Sequence, residues 1–150
     1  MTSPYQQFVT DPATERDGVV LDYGDYAVKI ARAGGANAKF AKVLEAKQRP
    51  YKRQIQNETL EEDVARKLLA QTYAEAVILD WATRQPAADG ESEGAFQWGV
   101  FPGPSGPLTF GRDNVVKVLL DLPDFFADIR EQSTKMALFR KEEIEADAKN

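Results

Sequence analysis

TLEEDVARKLLAQTYAEAVILDW, Thr59 to Trp81, is the stretch on which the fold turns. Leu60, Val64, Leu68, Tyr73, Val77 and Trp81 recur every four or five positions, with Leu69, Ala76 and Leu79 filling the same side. That spacing predicts one amphipathic helix over the whole stretch. Thr59 and Glu62 stand as a capping box, in which the hydroxyl takes the Glu62 amide and the carboxylate returns to the Thr59 amide. Glu61, Glu62 and Asp63 suit the positive end of the helix dipole. The stretch marks a core and carries no chemistry of its own.

On its N-terminal side, Gly18 to Ala33 alternates: Val19, Leu21 and Tyr23 line one run, Tyr26, Val28 and Ile30 the next, with Gly24-Asp25 between them. This is the pattern of a β-hairpin. Gly34-Gly35 breaks it. Asn37 then stands as the cap of a helix over 38–48, with Phe40, Val43 and Leu44 on its inner side. Pro50 ends or kinks that helix and starts a short one through Ile55. Residues 1–17 read as an extended arm, because Pro4 and Pro12 block helix and only Phe8 and Val9 offer anchors.

On its C-terminal side, residues 84–107 are rich in glycine and proline and read as a long loop or flap. Within it AFQWGVF, Ala95 to Phe101, has β character. Two readings of Phe96, Trp98 and Phe101 stay open: they cover the core, or they form an exposed patch for a partner. GPSGP lacks the following Lys-Ser/Thr and the amide donors of a phosphate loop. Asp113 and Asn114 open a helix with Val115, Val118, Leu119 and Leu122 on its apolar side, and Pro123 starts another carrying Phe125, Phe126, Ile129, Met136 and Phe139. Phe125 and Phe126 are adjacent and cannot both face one narrow core, which leaves one for docking. Residues 141–150 form a charged tail predicted to extend that helix and fray. The predicted fold is α+β and predominantly α-helical, an N-terminal β-hairpin packed on four to five helices, within one globular domain spanning 18–140.

Composition narrows function. With 43% hydrophobic and 29% charged residues the chain reads as globular. No run approaches the roughly 20 apolar residues of a membrane span, and the N-terminus lacks a signal-peptide pattern, so cytoplasmic residence without a membrane partner is expected. Cysteine and histidine are both absent, which removes disulfides, thiolate metal sites, the commonest general base and the commonest transition-metal ligand. No catalytic, cofactor-binding or metal residue is therefore expected. The net charge of −5 conceals an asymmetry: from Lys29 to Arg53 eight basic residues face Glu45 alone, a local charge of +7 that leaves −12 for the rest. Such a dipolar layout serves self-association or partner docking. Lysines between apolar residues on a helix are commonly its wet face, and no nucleic-acid motif accompanies them, so direct nucleic-acid binding is not expected.

DGVVLDYGDYAVKIARAGGANAKFAKVLEAKQRPYKR, YAEAVILDW, LTFGRDNVVKVLLDLPDFFADI and MALFRKEEIEADAKN, in that order, resemble the tail assembly chaperones of long-tailed (siphovirus-type) bacteriophages. The resemblance spans most of residues 10–150 and includes no catalytic signature, and the 84–107 region is longer and richer in glycine and proline than the family pattern. It implies a mainly helical protein in the host cytoplasm that holds the tape measure protein soluble, recruits tail tube protein subunits, forms a homo-oligomer and leaves before the virion is finished. It also implies a longer form made by a −1 ribosomal slip, for which Ala148, Lys149 and Asn150 are the candidate junction, since GCA AAA AAC can encode them. The partner-binding candidates are Phe96, Trp98, Phe101, Phe125 and Phe126. A structural tail or neck subunit of the virion (tube, terminator or connector) is the first alternative, with strands added edge to edge. A carboxylate enzyme built on Asp22, Asp25 or Asp80 is the second, and nothing in the sequence brings an acid, a base and a stabiliser together for it.

Overall fold

The computed structural model describes residues 3–140. Two short helices, α1 (Pro4–Gln7) and α2 (Pro12–Asp17), lead into strands β1 (Val19–Asp22) and β2 (Tyr26–Ile30). Helix α3 (Ala38–Gln48), a 3-10 turn (Arg49–Tyr51) and α4 (Lys52–Gln56) form a bent limb that feeds α5 (Glu62–Ala76). Strands β3 (Ile78–Arg84), β4 (Phe96–Trp98), β5 (Val100–Gly103) and β6 (Gly106–Thr109) follow, then helices α6 (Arg112–Asp121) and α7 (Pro123–Thr134) and a 3-10 turn (Met136–Phe139).

The expectation of a predominantly helical fold with a lone hairpin is corrected here. The hairpin β1–β2 is only half of a four-stranded antiparallel sheet in the order β1-β2-β3-β4, and β5–β6 form a second, two-stranded sheet. The missing strand lay inside the stretch read as one helix. Helix α5 stops at Ala76, and residues between Ile78 and Thr83 pair along β2, Val28 opposite Trp81 and Ala27 opposite Ala82. The outer hydrogen-bonding edge of β2 needs a partner, and Val77-Ile78 followed by Trp81 suits a pleated surface better than a helix. No glycine or proline marks the change, so periodicity alone ran through it.

The start of α5 also differs. Its first residue is Glu62, and Thr59 does not cap it; the Thr59 amide instead donates to the Gln54 carbonyl at 2.8 Å, closing the turn after α4. Glu58 makes this turn with φ of 56°, a left-handed conformation uncommon outside glycine. Asn37 precedes α3 as expected but does not cap it. Its buried amide donates to the carbonyls of Arg32 and Ala76, both at 2.8 Å, tying the end of α5 to the exit of β2.

The N-terminal segment is neither extended nor held by Phe8, which is 67% exposed. Pro4 and Pro12 occupy first turns, where a missing amide costs nothing. The anchor is Glu15, which is buried. Its carboxylate accepts from Arg32 Nη1 at 2.7 Å and from Thr10 Oγ1 at 2.9 Å. Burial pushes this carboxyl up, but the Arg32 and Thr10 hydrogen bonds and the Arg32 charge outweigh it, leaving the pKa below the usual 4.5. Gly35 stands so close to the carboxylate that a Cβ there would strike it.

One core joins both sheets to α5, α6 and α7. Trp81 is its largest fully buried side chain, stacked on Phe101 with ring centroids 4.5 Å apart. Val28, Ile30, Val77, Val115, Leu119, Phe126, Ile129 and Phe139 complete it.

Candidate functional site

The aromatic candidates divide between the two faces of the sheet. Ala82 pairs with Trp98 and Arg84 with Phe96, which places these four on the face opposite Trp81. There Trp98 is 39% exposed and the Arg84 guanidinium lies 4.1 Å from the Phe96 ring centroid. Phe101 lies in the core beneath Trp81, and Phe126 is buried with its ring 5.4 Å from that of Tyr73. Phe125 is half-buried in an aromatic cluster with Tyr23, Tyr26 and Phe101. Of the five, Trp98 alone presents a broad face to solvent. The junction candidates Ala148, Lys149 and Asn150 lie outside the described residues.

The three aspartates have separate structural duties. Asp22 accepts from the Gly24 amide at 2.8 Å and from Arg84 at 2.9 Å, which hold its carboxyl below the usual carboxylate range. Asp80 accepts from the Trp81 amide at 2.8 Å, and the Asp25 carbonyl accepts from the Arg84 amide. Tyr23 donates to Asp128 at 2.6 Å, and burial with this bond pushes its hydroxyl pKa well up, away from any role as a base. Among the described residues no group of acidic side chains could hold a metal ion, and no helix is long and apolar enough to cross a membrane.

Three clefts lie beside helices α3, α4, α5 and α7. Leu44 of α3, Ile55 of α4, and Leu60, Leu68 and Leu69 line one of about 300 Å³. A second, of about 390 Å³, shares Gln48 and Ile55 with it and is edged by Glu45, Arg49 and Lys52. A third, of about 320 Å³, lies between α5 and α7, edged by Glu62, Arg66 and Arg130 over Phe126. Local sequence produces this shape. Pro50 bends the limb, so α4 leaves the line of α3, and the Glu58 turn brings the chain back into α5. The limb packs on α5 through Phe40 against Tyr73 at 5.6 Å and Lys47 Nζ against Glu75 at 2.7 Å. Of its remaining apolar residues Val43 and Leu44 are half-buried and Ile55 is 37% exposed.

Sequence reading placed the Pro50 bend and the short helix through Ile55 but assigned them no role. The signal was there: Ile55 is the one aliphatic residue in KRQIQNET.

No curated protein and no solved structure matches the chain. A family model described as YdaY prophage protein matches residues 35–150, covering the limb, α5 and everything after it. The chain therefore belongs to the YdaY prophage protein family and is of bacteriophage origin.

Proposed function

We propose that this phage protein is a tail assembly chaperone, working in the host cytoplasm, that binds the tape measure protein and helps recruit tail tube subunits, and that leaves before the virion is complete. The observation that carries the reading is the apolar cleft in which exposed Ile55 and half-buried Leu44, Leu60 and Leu69 stand over buried Leu68, between helices and beside charged residues. A long helical client with exposed apolar seams aggregates until its tube forms around it, and a groove of this kind takes one amphipathic helix at a time. The resemblance of the chain to tail assembly chaperones and its phage origin support the same role. In this reading a longer form made at Ala148–Asn150 adds a tube-binding part, and several copies act on one client.

Co-expression with the tape measure gene of the same prophage tests it. The client should move into the soluble fraction with the chaperone and stay insoluble without it, and purified particles should lack the protein by mass spectrometry.

A second reading, a structural tail or neck subunit, is favoured by the sheet edges. Among the described residues strand β1 is paired on one side only and Val20 on it is 49% exposed, as a strand open to edge addition would be. Fixed copies in purified particles would support this reading against the first.

A further inference from the structure

The two sheets treat their edges differently. Pro102 faces Pro107 across β5–β6, and neither has an amide to offer a further strand. Strand β1, the outer strand of the larger sheet, carries no such guard. Tyr23 donates to the Tyr26 carbonyl at 2.9 Å, so the backbone groups of Val19, Leu21 and Tyr23 turn toward β2 and those of Val20 and Asp22 turn away. These two amides and two carbonyls have no hydrogen-bond partner among the described residues. We infer that two copies of this chain join antiparallel through β1, about a two-fold axis at Leu21. The inference rests on the chaperone reading's several copies and names the surface on which they meet.

The strand is complementary to itself in that register. Val20 faces Asp22 of the second copy and exchanges two hydrogen bonds with it, and the symmetry-related pair does the same, so every free group on both strands is used. On the core-side face Leu21 meets its own copy and Val19 meets Tyr23 of the second copy; all three are only half-buried within one chain. Asp22, the one charged residue of the strand, lies opposite a valine rather than another carboxylate. An axis at Val20 would instead pair Asp22 with Gly18, whose amide already donates to the Thr14 carbonyl at 2.8 Å. The other edge, β4, is three residues long and is followed by the bend at Gly99, with φ of 91°. Seating β4 on β1 of the next copy would not close and would build fibres. Two strands of four residues bury less than the roughly 1,200 Å² of a stable complex, so the dimer is reversible.

Sedimentation equilibrium and cysteine pairing test the inference. The full chain should pass from monomer to dimer as its concentration rises through the micromolar range. Val20→Pro, which removes an amide that β2 does not use, should leave only monomer. Val20→Glu should also abolish the dimer, because it faces Asp22 of the second copy. Val20→Lys should tighten it, because it faces the same carboxylate with the opposite charge. Circular dichroism verifies folding, and the opposed effects of glutamate and lysine decide the matter even where the proline variant does not fold. The chain has no cysteine. Val20→Cys and Asp22→Cys chains oxidised together should therefore link as a mixed dimer, their Cα atoms about 5.5 Å apart, within the span a disulfide closes. Neither variant should link as fully by itself. A chain that stays monomeric, glutamate and lysine variants that behave alike, or Val20→Cys linking instead to Trp98→Cys overturns the inference. So do monomers whose Val20 and Asp22 amides resist exchange, which would place another part of the same chain on this edge. Monomers that still keep the tape measure protein soluble sink the inference and leave the chaperone reading standing. A β1 dimer that leaves that protein insoluble sinks the chaperone reading instead.

Discussion

Strands β2 and β3 and the limb α3–α4 differ in how they bury their side chains. Ala27, Val28, Ile30, Ile78, Trp81 and Ala82 are all at most 4% exposed, whereas no residue of α3, the 3-10 turn or α4 is buried. The strands sit between a core on one face and Trp98 and its neighbours on the other. The limb is amphipathic and packs on α5. Burial on all sides makes a rigid element whose residues are committed to each other. Burial on one side leaves an element whose free apolar edge can be offered to something else.

The sharpest way to break this contrast is Trp81→Ala. It removes the largest buried side chain and its stack on Phe101, and should destabilise by about 3–5 kcal/mol in urea unfolding. A loss near that of a surface substitution would mean the sheet is not the rigid half.

Next comes Glu15→Gln, at about 1–3 kcal/mol, because it leaves the buried end of Arg32 without its countercharge, while the partial exposure of Arg32 moderates the cost. The folded pKa of Glu15 is depressed. Its contribution is therefore present at pH values above about 4.5 and is lost as pH falls below that toward the folded value. Unfolding of the unaltered protein between pH 6 and 3, compared with Glu15→Gln, should show the variant losing less stability on acidification. Equal acid slopes would remove Glu15 from the account.

Asn37→Ala joins the two regions, since its amide spans the exit of β2 and the end of α5 just before α3. It should cost about 1–2 kcal/mol, the penalty for orphaning the Arg32 and Ala76 carbonyls. Amide exchange in α3 and α4 should rise more than in β2 and β3. A uniform rise would say that the limb and the sheet open together.

The smallest expected effect is Ile55→Ser, about 1 kcal/mol, because its side chain is 37% exposed and only the covered part loses burial. A larger loss in thermal unfolding would place Ile55 in the limb's own packing and close the cleft as a docking surface.

Much of this was legible beforehand where one local rule acts alone. The hairpin turn shows in Gly24-Asp25, whose glycine has φ of 93°; α3 runs from Ala38 to Gln48 as its apolar spacing required; Pro123 begins α7. The site was less legible. Of the five aromatic candidates, Phe101 and Phe126 proved to be core, while Ile55 gained its meaning only from a bend and a turn that bring α4 back toward α5.

By itself the sequence determined a single apolar core, the amphipathic body of α5, the basic limb and the absence of histidine and thiol chemistry, because composition and periodicity are local properties of the chain. The tertiary structure alone decided where α5 gives way to β3, which aromatic residues face inward, and which apolar residues stay uncovered. The stretch from Val77 to Trp81 satisfies a helical period and a strand period about equally. What separates them is the unpaired edge of β2, whose backbone groups gain hydrogen bonds only if those residues extend.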